Sequence, residues 1–379
     1  MGRETVLTNA LLVLPDGVRP GTLVLREGRI AAVETGRSGL AGALDLEGDH
    51  LLPGLVDLHT DNLERQVQPR PGARWPSRSA MLAHDAQTAA AGVTTVLDAL
   101  CVGELEVSHG RGQTFLEGIG DLDLLGRAGA LRCDHLLHLR CELPAPDMPR
   151  LLEPVAGHPL LRMVSLMDHC PGAGQFADMD RYRAMLRRDG LDTPAAEARI
   201  ERLAALRERH AEPNRAILLE RIGGRGVPLA AHDDWSEAAV ARNAADGVTI
   251  SEFPVNAPAA RAARAHGQDI VVGAPNLVRG GSHSGNVSAM ALLREGLVDA
   301  IASDYVPAAM LEAVWRLAAE GVLELAAAVR LVAENPARMA GLVDRGRLAP
   351  GLRADLLRVR TVLGLPVMRS VWLAGERIA

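Results

Sequence analysis

From Leu51 onward the chain alternates short, unbroken apolar runs with longer stretches of helical periodicity. A run of four to eight apolar residues between turn signals reads as a buried strand. Eight such runs occur: Leu55–Asp61, Val93–Leu100, Asp134–Leu143, Arg162–His169, Val227–Asp233, Val248–Pro254, Asp269–Asn276 and Asp299–Tyr305. Strands alternating with helices build parallel βα units, and eight of them predict an α/β fold, a TIM-type (β/α)8 barrel. Residues 1–50 follow another rhythm. Thr5–Leu14, Gly21–Arg26 and Arg29–Glu34 are separated by Pro15-Asp16-Gly17 and Glu27-Gly28, which predicts an antiparallel meander. Leu44–Leu51 adds a strand, and the tail Arg369–Ile378 returns to strand character around Gly375. The two chain ends, residues 1–50 and 341–379, are therefore expected to form one small β-sandwich beside a barrel of residues 51–340. The longest barrel connection, Pro171 to Gly226, carries its own helices. Thr193-Pro194 opens one of them and Gly223-Gly224 closes it.

Composition narrows the class. Of 379 residues 48% are hydrophobic but only 2% aromatic, so the core must be built from Ala, Leu and Val. A net charge of −6 argues against nucleic acid as a partner. No apolar stretch reaches the roughly 18 residues of a membrane span, and the N-terminus lacks the apolar region of a signal peptide. Cys101, Cys133, Cys141 and Cys170 make no zinc spacing. A cytoplasmic enzyme with reduced thiols is expected. All 41 basic residues are arginine. The missing lysine excludes a Walker-type phosphate loop, a Schiff base, a lysine general base and a carboxylated lysine bridging two metals.

Candidate chemistry gathers at the ends of the predicted strands, where barrels carry their active sites. Residues two apart on a strand share a face, so His59 and Asp61 project together, as do His138, Arg140 and Glu142. Strand four ends in Asp168-His169, strand five in His232-Asp233-Asp234, strand six carries Glu252 and strand eight ends in Ser303-Asp304-Tyr305. One such histidine is ordinarily a hydrogen-bonding residue. Many nitrogen and oxygen donors converging on one rim point to a divalent metal. After strand seven, Arg279-Gly280-Gly281-Ser282-His283-Ser284-Gly285-Asn286 runs into a helical segment, Val287–Arg294. Glycines let backbone approach a ligand, a helix N-terminus attracts anions, and Arg279 can clamp phosphate oxygens. A solvated turn is the bland alternative, but the loop's place after strand seven favours phosphate. Arg70, Arg74 and Arg140 can add positive charge. Trp75 could stack on a sugar or pack the loop.

The strand-one run Pro53-Gly54-Leu55-Val56-Asp57-Leu58-His59, Ser303-Asp304, and the tail Asn335-Pro336-Ala337 with Gly346-Arg347-Leu348-Ala349-Pro350-Gly351-Leu352-Arg353-Ala354-Asp355-Leu356 resemble the amidohydrolase superfamily. His59–Glu64, Pro69-Arg70-Pro71, Trp75-Pro76, His84-Asp85, Leu137–Leu143, Ser165–His169 and Gly273–Asn286 are similar, more narrowly, to its phosphonate-utilisation diphosphatases. This resemblance covers essentially the whole chain. It implies metal-dependent hydrolysis of a small-molecule sugar triphosphate, ribose 1-methylphosphonate 5-triphosphate, with release of pyrophosphate. It implies one or two zinc, manganese or iron ions held by a subset of His59, Asp61, Glu142, His169, His232 and Asp304, with Glu142 as the shared ligand. Asp304 would orient or deprotonate water, and Arg279 and His283 would stabilise the transferring phosphoryl group. Arg70, Arg74, Arg140, Asn276, Arg279, Ser282, His283, Ser284 and Asn286 would contact substrate. Three features depart from the superfamily pattern: His-x-Asp replaces His-x-His on strand one, Glu252 stands where a strand-six histidine is usual, and lysine is absent. The implied site is therefore richer in carboxylates. Strand four leaves Asp168 and His169 as alternatives. A hydrolase cleaving a C–N bond, a cyclic amidase or deaminase, is the competing expectation. The Pro171–Gly226 excursion suits either a lid or a homodimer surface.

Overall fold

The computed structural model describes residues 4–106, 110–282 and 285–379. The chain begins with β1 (Glu4–Leu14), β2 (Gly17–Arg26), β3 (Arg29–Thr35), β4 (Leu44–Asp45) and β5 (His50–Pro53). The barrel follows as β6 (Leu55–Thr60), β7 (Val93–Val102), β8 (Asp134–Glu142), β9 (Leu161–Met167), β10 (Leu229–His232), β11 (Ile250–Glu252), β12 (Asp269–Gly273) and β13 (Ala300–Ala302). The tail supplies β14 (Leu356–Val362), β15 (Leu365–Leu373) and β16 (Glu376–Arg377). All eight predicted barrel runs are strands, parallel and in sequential order from β6 to β13. The ends of the chain form a separate mixed sheet, ordered β16-β15-β14-β5-β1-β2-β3 with β4 paired to β1.

The passage from one sheet to the other needs Gly54. A Cβ at that position would lie 2.2 Å from Thr94 Oγ1, so no other residue lets β5 turn directly into β6. The terminal sheet buries Leu7, Leu12, Leu23, Ile30, Leu51, Leu356 and Trp372. Its N- and C-terminal strands are also joined by charge. Buried Asp49 accepts from Arg358 Nε at 2.5 Å and Arg360 Nε at 2.6 Å, across more than 300 residues of sequence. Asp49→Ala would leave both guanidinium groups with Glu47 alone, which lies 3.2 Å from Arg358 and 2.8 Å from Arg360. A fully buried broken pair costs ~3–5 kcal/mol, but Glu47 stays in place and Arg360 remains 32% exposed, so a loss of ~1–2 kcal/mol is expected. Urea denaturation checks this, and an unchanged midpoint would contradict it.

The barrel closes between its first and last strands. Asp304 N–H donates to His59 O at 3.0 Å, and Asp61 N–H donates to Asp304 O at 2.7 Å. Closure therefore sets the strand-one donors against Asp304. The Pro171–Gly226 excursion is a helical hairpin, Met179–Arg188 and Thr193–Ile222, with its own small core of Tyr182, Leu186, Ala196 and Ile200. Asp178 and Asp192 cap the two helices through their side chains.

The region after strand seven differs from expectation. β12 stops at Gly273, and Asn276 lies in a short helix, Ala274–Arg279, rather than in the strand. Pro275 sits in the first turn of that helix, where its missing N–H costs nothing. Arg279 thus ends a helix, and Gly280 leaves it with φ 82°, the left-handed conformation suited to glycine. The next helix starts at Ala289 instead of Val287. Among the described residues no helix is long and apolar enough to cross a membrane.

Candidate active site

The site is built upward from Glu252, the last residue of β11, which is fully buried. One carboxylate oxygen lies 2.7 Å from His59 Nδ1, and the other lies 2.8 Å from His232 Nδ1. The second oxygen also accepts from Ser165 Oγ at 3.0 Å, and that hydroxyl lies 2.5 Å from His138 Nε2. Burial alone would raise the Glu252 pKa, but the histidines beside it outweigh burial and hold it well below its ordinary value. An ionised carboxylate only accepts, so both facing Nδ1 atoms carry protons. Burial pushes His138 down to about 3, leaving it neutral.

Fixing Nδ1 aims the opposite ring nitrogen of each histidine into the cavity. His59 Nε2 lies 3.5 Å from Asp61 Oδ1, and the donor atoms of His59, Asp61 and Asp304 all fall within 4.8 Å of one another. A second corner is made by His169, His232 and Asp233. Asp233 Oδ2 is 3.6 Å from His232 Nε2 and 3.8 Å from His169 Nε2. The His59 and His232 rings stack at 5.4 Å, so the two corners adjoin. Behind them Glu142 binds His169 twice, at Nδ1 (2.5 Å) and at the backbone N–H (2.9 Å). Glu142 was expected to be the shared ligand, yet both its oxygens are engaged in orienting His169. Asp168 turns away toward Arg207 Nε (2.5 Å) and the Cys170 N–H (3.1 Å), which leaves His169 as the strand-four donor facing the cavity.

Three non-glycine residues within two positions of a barrel strand's end have left-handed backbones: Asp233 (φ 59°), Phe253 (φ 57°) and Asp304 (φ 57°). Such conformations are uncommon outside glycine and cluster at functional sites. At Asp233 and Asp304 they swing carboxylates inward beside Asp61. Burial, with Asp61 and Asp233 adding to it, pushes Asp304 up to about 7 against the opposing His59 and Arg140 charges. Three aspartates beside the ring nitrogens of His59, His169 and His232, whose opposite nitrogens are fixed by carboxylates, are a donor set that fits a divalent cation. The carboxylates holding Nδ1 complete the arrangement usual for metal-bound histidine.

A cavity of about 460 Å³ opens above these residues. Four arginines line it, namely Arg111, Arg140, Arg199 and Arg279. Arg140 is buried and pairs with Asp61, while its Nε has no partner among the described residues. Arg279 makes no ion pair among them. It stands at the loop side with Gly281, Ser282 and Asn286. Phe176, Tyr182, Met185 and Leu203 of the helical excursion form an apolar wall. Burial pushes the Cys101 thiol in this cavity up to about 12, so it stays protonated.

Some expected contacts are not in the cavity. Arg74 is drawn to Glu117 (2.6 Å) and Thr114 (3.2 Å) on the neighbouring helix. Arg70 is exposed in the turn that pairs with Ala73, and Trp75 is 56% exposed. The loop carrying all three folds away from the cavity, so none of them lines it. Asn276 does line it, but its amide is committed to Val287 O and the Ala289 N–H, both at 3.1 Å. His283 and Ser284 lie outside the described residues. Arg111 and Arg199 also line the cavity without having been named from the sequence, and Asp233, named at the end of strand five, lines it without having been among the expected ligands.

A parallel eight-stranded barrel with a terminal β domain is a fold shared with a solved amidohydrolase, which superposes with a TM-score of 0.59 at 17% identity, over 99% of this chain and 98% of that one. No family model matches the chain, but further solved structures share its fold. The dihydropyrimidinase of Brevibacillus agri NCHU1002 superposes with a TM-score of 0.65 at 13% identity, over 99% of this chain and 95% of that one. The 5-methylcytosine deaminase of Klebsiella pneumoniae gives 0.64 at 15% identity, over 99% and 98%. A curated sequence is nearer. The alpha-D-ribose 1-methylphosphonate 5-triphosphate diphosphatase of Escherichia coli strain K12 is 40% identical over 376 residues, 98% of this chain and 100% of that one. This chain belongs to the family of that diphosphatase.

Proposed function

We propose that the protein hydrolyses ribose 1-methylphosphonate 5-triphosphate to ribose 1-methylphosphonate 5-phosphate and pyrophosphate, a step of phosphonate metabolism. The observation that carries this reading is Arg279 at the loop side of a metal-type rim, with no ion pair among the described residues, together with the buried Arg140 Nε that lacks a partner there; Arg111 and Arg199 are already paired with Glu64 and Glu106. A neutral amide has no use for that charge, whereas a triphosphate needs it. His59, Asp61 and Asp304 would hold one divalent cation, and His169, His232 and Asp233 a second. Nitrogen and oxygen donors without thiolate suit zinc, manganese or iron(II). Cations there lower the pKa of bound water and offset charge on phosphoryl oxygens.

The remaining chemistry belongs to the chain itself. Asp304, poised near neutrality by its neighbours, takes the proton of the attacking water. Water oxygen bonds to the α-phosphorus, and the bond from that phosphorus to the oxygen bridging to the β-phosphorus breaks. Pyrophosphate leaves. Arg140 holds the α-phosphate, while Arg279, Ser282 and Asn286 hold the distal ones. The helical excursion roofs the cavity and limits water, which supports its use as a lid. Buried, unpaired cysteines accord with a reducing, cytoplasmic setting.

Arg279→Ala tests the substrate class. A charged hydrogen bond at an exposed site is worth about 1.5 kcal/mol, so KM for the triphosphate should rise roughly tenfold with kcat changed less. An unchanged KM would favour the C–N hydrolase reading.

A further inference from the structure

Behind strand one, on the outer face of the barrel, lies a chain of buried polar groups that the proposed reaction does not touch. Alternation explains part of its place. On β8, Arg140 points inward and His135 outward; Asn62 opens the short helix, Asn62–Val67, that follows β6. Asn62 Nδ2 donates to His84 Nδ1 at 2.9 Å. His84 Nε2 donates to Asp98 Oδ1 at 2.7 Å, and the other Asp98 oxygen accepts from His135 Nδ1 at 2.8 Å. His135 Nε2 reaches Asp85 Oδ1 at 3.3 Å. Asp85 is anchored by the N–H groups of Arg132 (2.8 Å) and Cys133 (3.0 Å). All five side chains are buried.

Each link has a defined polarity. Asp98 as a carboxylate only accepts, so His84 carries its proton on Nε2 and offers Nδ1 to Asn62. His135 faces a carboxylate at each nitrogen. Burial would lower its pKa, but Asp98 and Asp85 outweigh burial and raise it to about 9, so both nitrogens donate. His84, Asp98 and His135 also bring three metal-type donors together, but their nitrogens are already committed to these hydrogen bonds. The donors thus converge on Asp98, from Asn62 through His84 on one side and from His135 on the other, and His135 also donates to the Asp85 anchor. Asn62 Oδ1 has no partner, so His84 is the one hydrogen bond holding that side chain among the described residues. Asn62 adjoins Asp61. Asp98 lies beside Thr60 in the strand register, so the string meets β6 at the level of the site.

We propose that Asn62, His84, Asp98, His135 and Asp85 are positioning residues that fix Asp61, and through it the metal corner formed with His59 and Asp304. Asp61 is held on one side by the Asp304 backbone and on the other through Asn62. The inference rests on Asp61 being a metal ligand. Loss of an outer hydrogen-bond partner weakens metal binding ~10–100-fold, and a link acting through the backbone belongs at the lower end.

Manganese(II) titration followed by electron paramagnetic resonance, without substrate, tests this. Asn62→Ala and His84→Leu should each weaken binding about tenfold, while His84→Gln, whose amide can donate to Asp98 and accept from Asn62, should stay within threefold of wild type. In an Asp61→Asn background Asn62→Ala should change affinity little. A role in stability alone would lower the melting temperature and leave all these affinities equal. Unchanged manganese affinity in folded Asn62→Ala, or an undiminished Asn62→Ala effect in the Asp61→Asn background, overturns the proposal. A wild-type protein that binds none of manganese, zinc or iron(II), the last two read by mass spectrometry after dialysis, overturns instead the metal reading on which it rests.

Discussion

Asp304→Asn should lower kcat by about a thousandfold while leaving the protein folded. The size follows from the usual contribution of a positioned general base, ~10²–10⁴. The specificity follows from the structure. The hydrogen bonds that close the barrel at Asp304 are made by its main chain, so they survive the change. Asparagine tolerates the left-handed φ of 57° about as well as aspartate does, so no strain is added. What is lost is a carboxylate whose proton affinity burial, Asp61 and Asp233 raise to about 7. Steady-state kinetics beside circular dichroism and a thermal melt make the check. Wild-type turnover would remove Asp304 from its role.

Glu252→Gln should weaken metal binding at one corner by ~10–100-fold, with activity falling in step. One carboxylate receives His59 Nδ1, His232 Nδ1 and the Ser165 hydroxyl, all at 3.0 Å or less. Glutamine offers one acceptor oxygen and one donor NH2 group. Whichever histidine meets the NH2 group must accept there, so its proton moves to Nε2, the atom aimed at the cavity. A protonated Nε2 cannot bind a metal. Each ring so disturbed costs ~10–100-fold, and the two rings serve different corners. Metal content after dialysis, measured by mass spectrometry, gives the answer; full occupancy in the variant would contradict the account.

The same residues show what a sequence can and cannot reveal. Eight buried strands were legible because parallel barrel strands are continuous apolar runs, and the strand-end histidines stood out against them. Depth was not legible. Glu252 occupies a strand position where a ligand is usual, but only the three-dimensional register with His232 shows it lying beneath the histidines. Asp233 was named at its strand end but left out of the expected ligands for a local reason. Strict alternation puts it on the face opposite His232, and the left-handed turn at that residue brings it back. Arg70 and Arg74 were expected from their nearness to strand one, but loop direction is set by Glu117, forty-odd residues away. Arg111 and Arg199 reach the cavity from helices whose periodicity marks nothing about their partners. The Gly-rich loop was recognised, while the short helix ahead of it was hidden by reading Ala274-Pro275-Asn276 as the end of a strand.

The central claim is attack by water at the α-phosphorus of a ribose 5-triphosphate. A phosphorus NMR time course of ribose 1-methylphosphonate 5-triphosphate in ¹⁸O-labelled water, with the enzyme supplied with manganese, zinc or iron(II), tests it most directly. The account predicts stoichiometric pyrophosphate free of label and one ¹⁸O in the 5-phosphate. Orthophosphate as the first product, label in the pyrophosphate, or no turnover by folded and metal-loaded protein would contradict it.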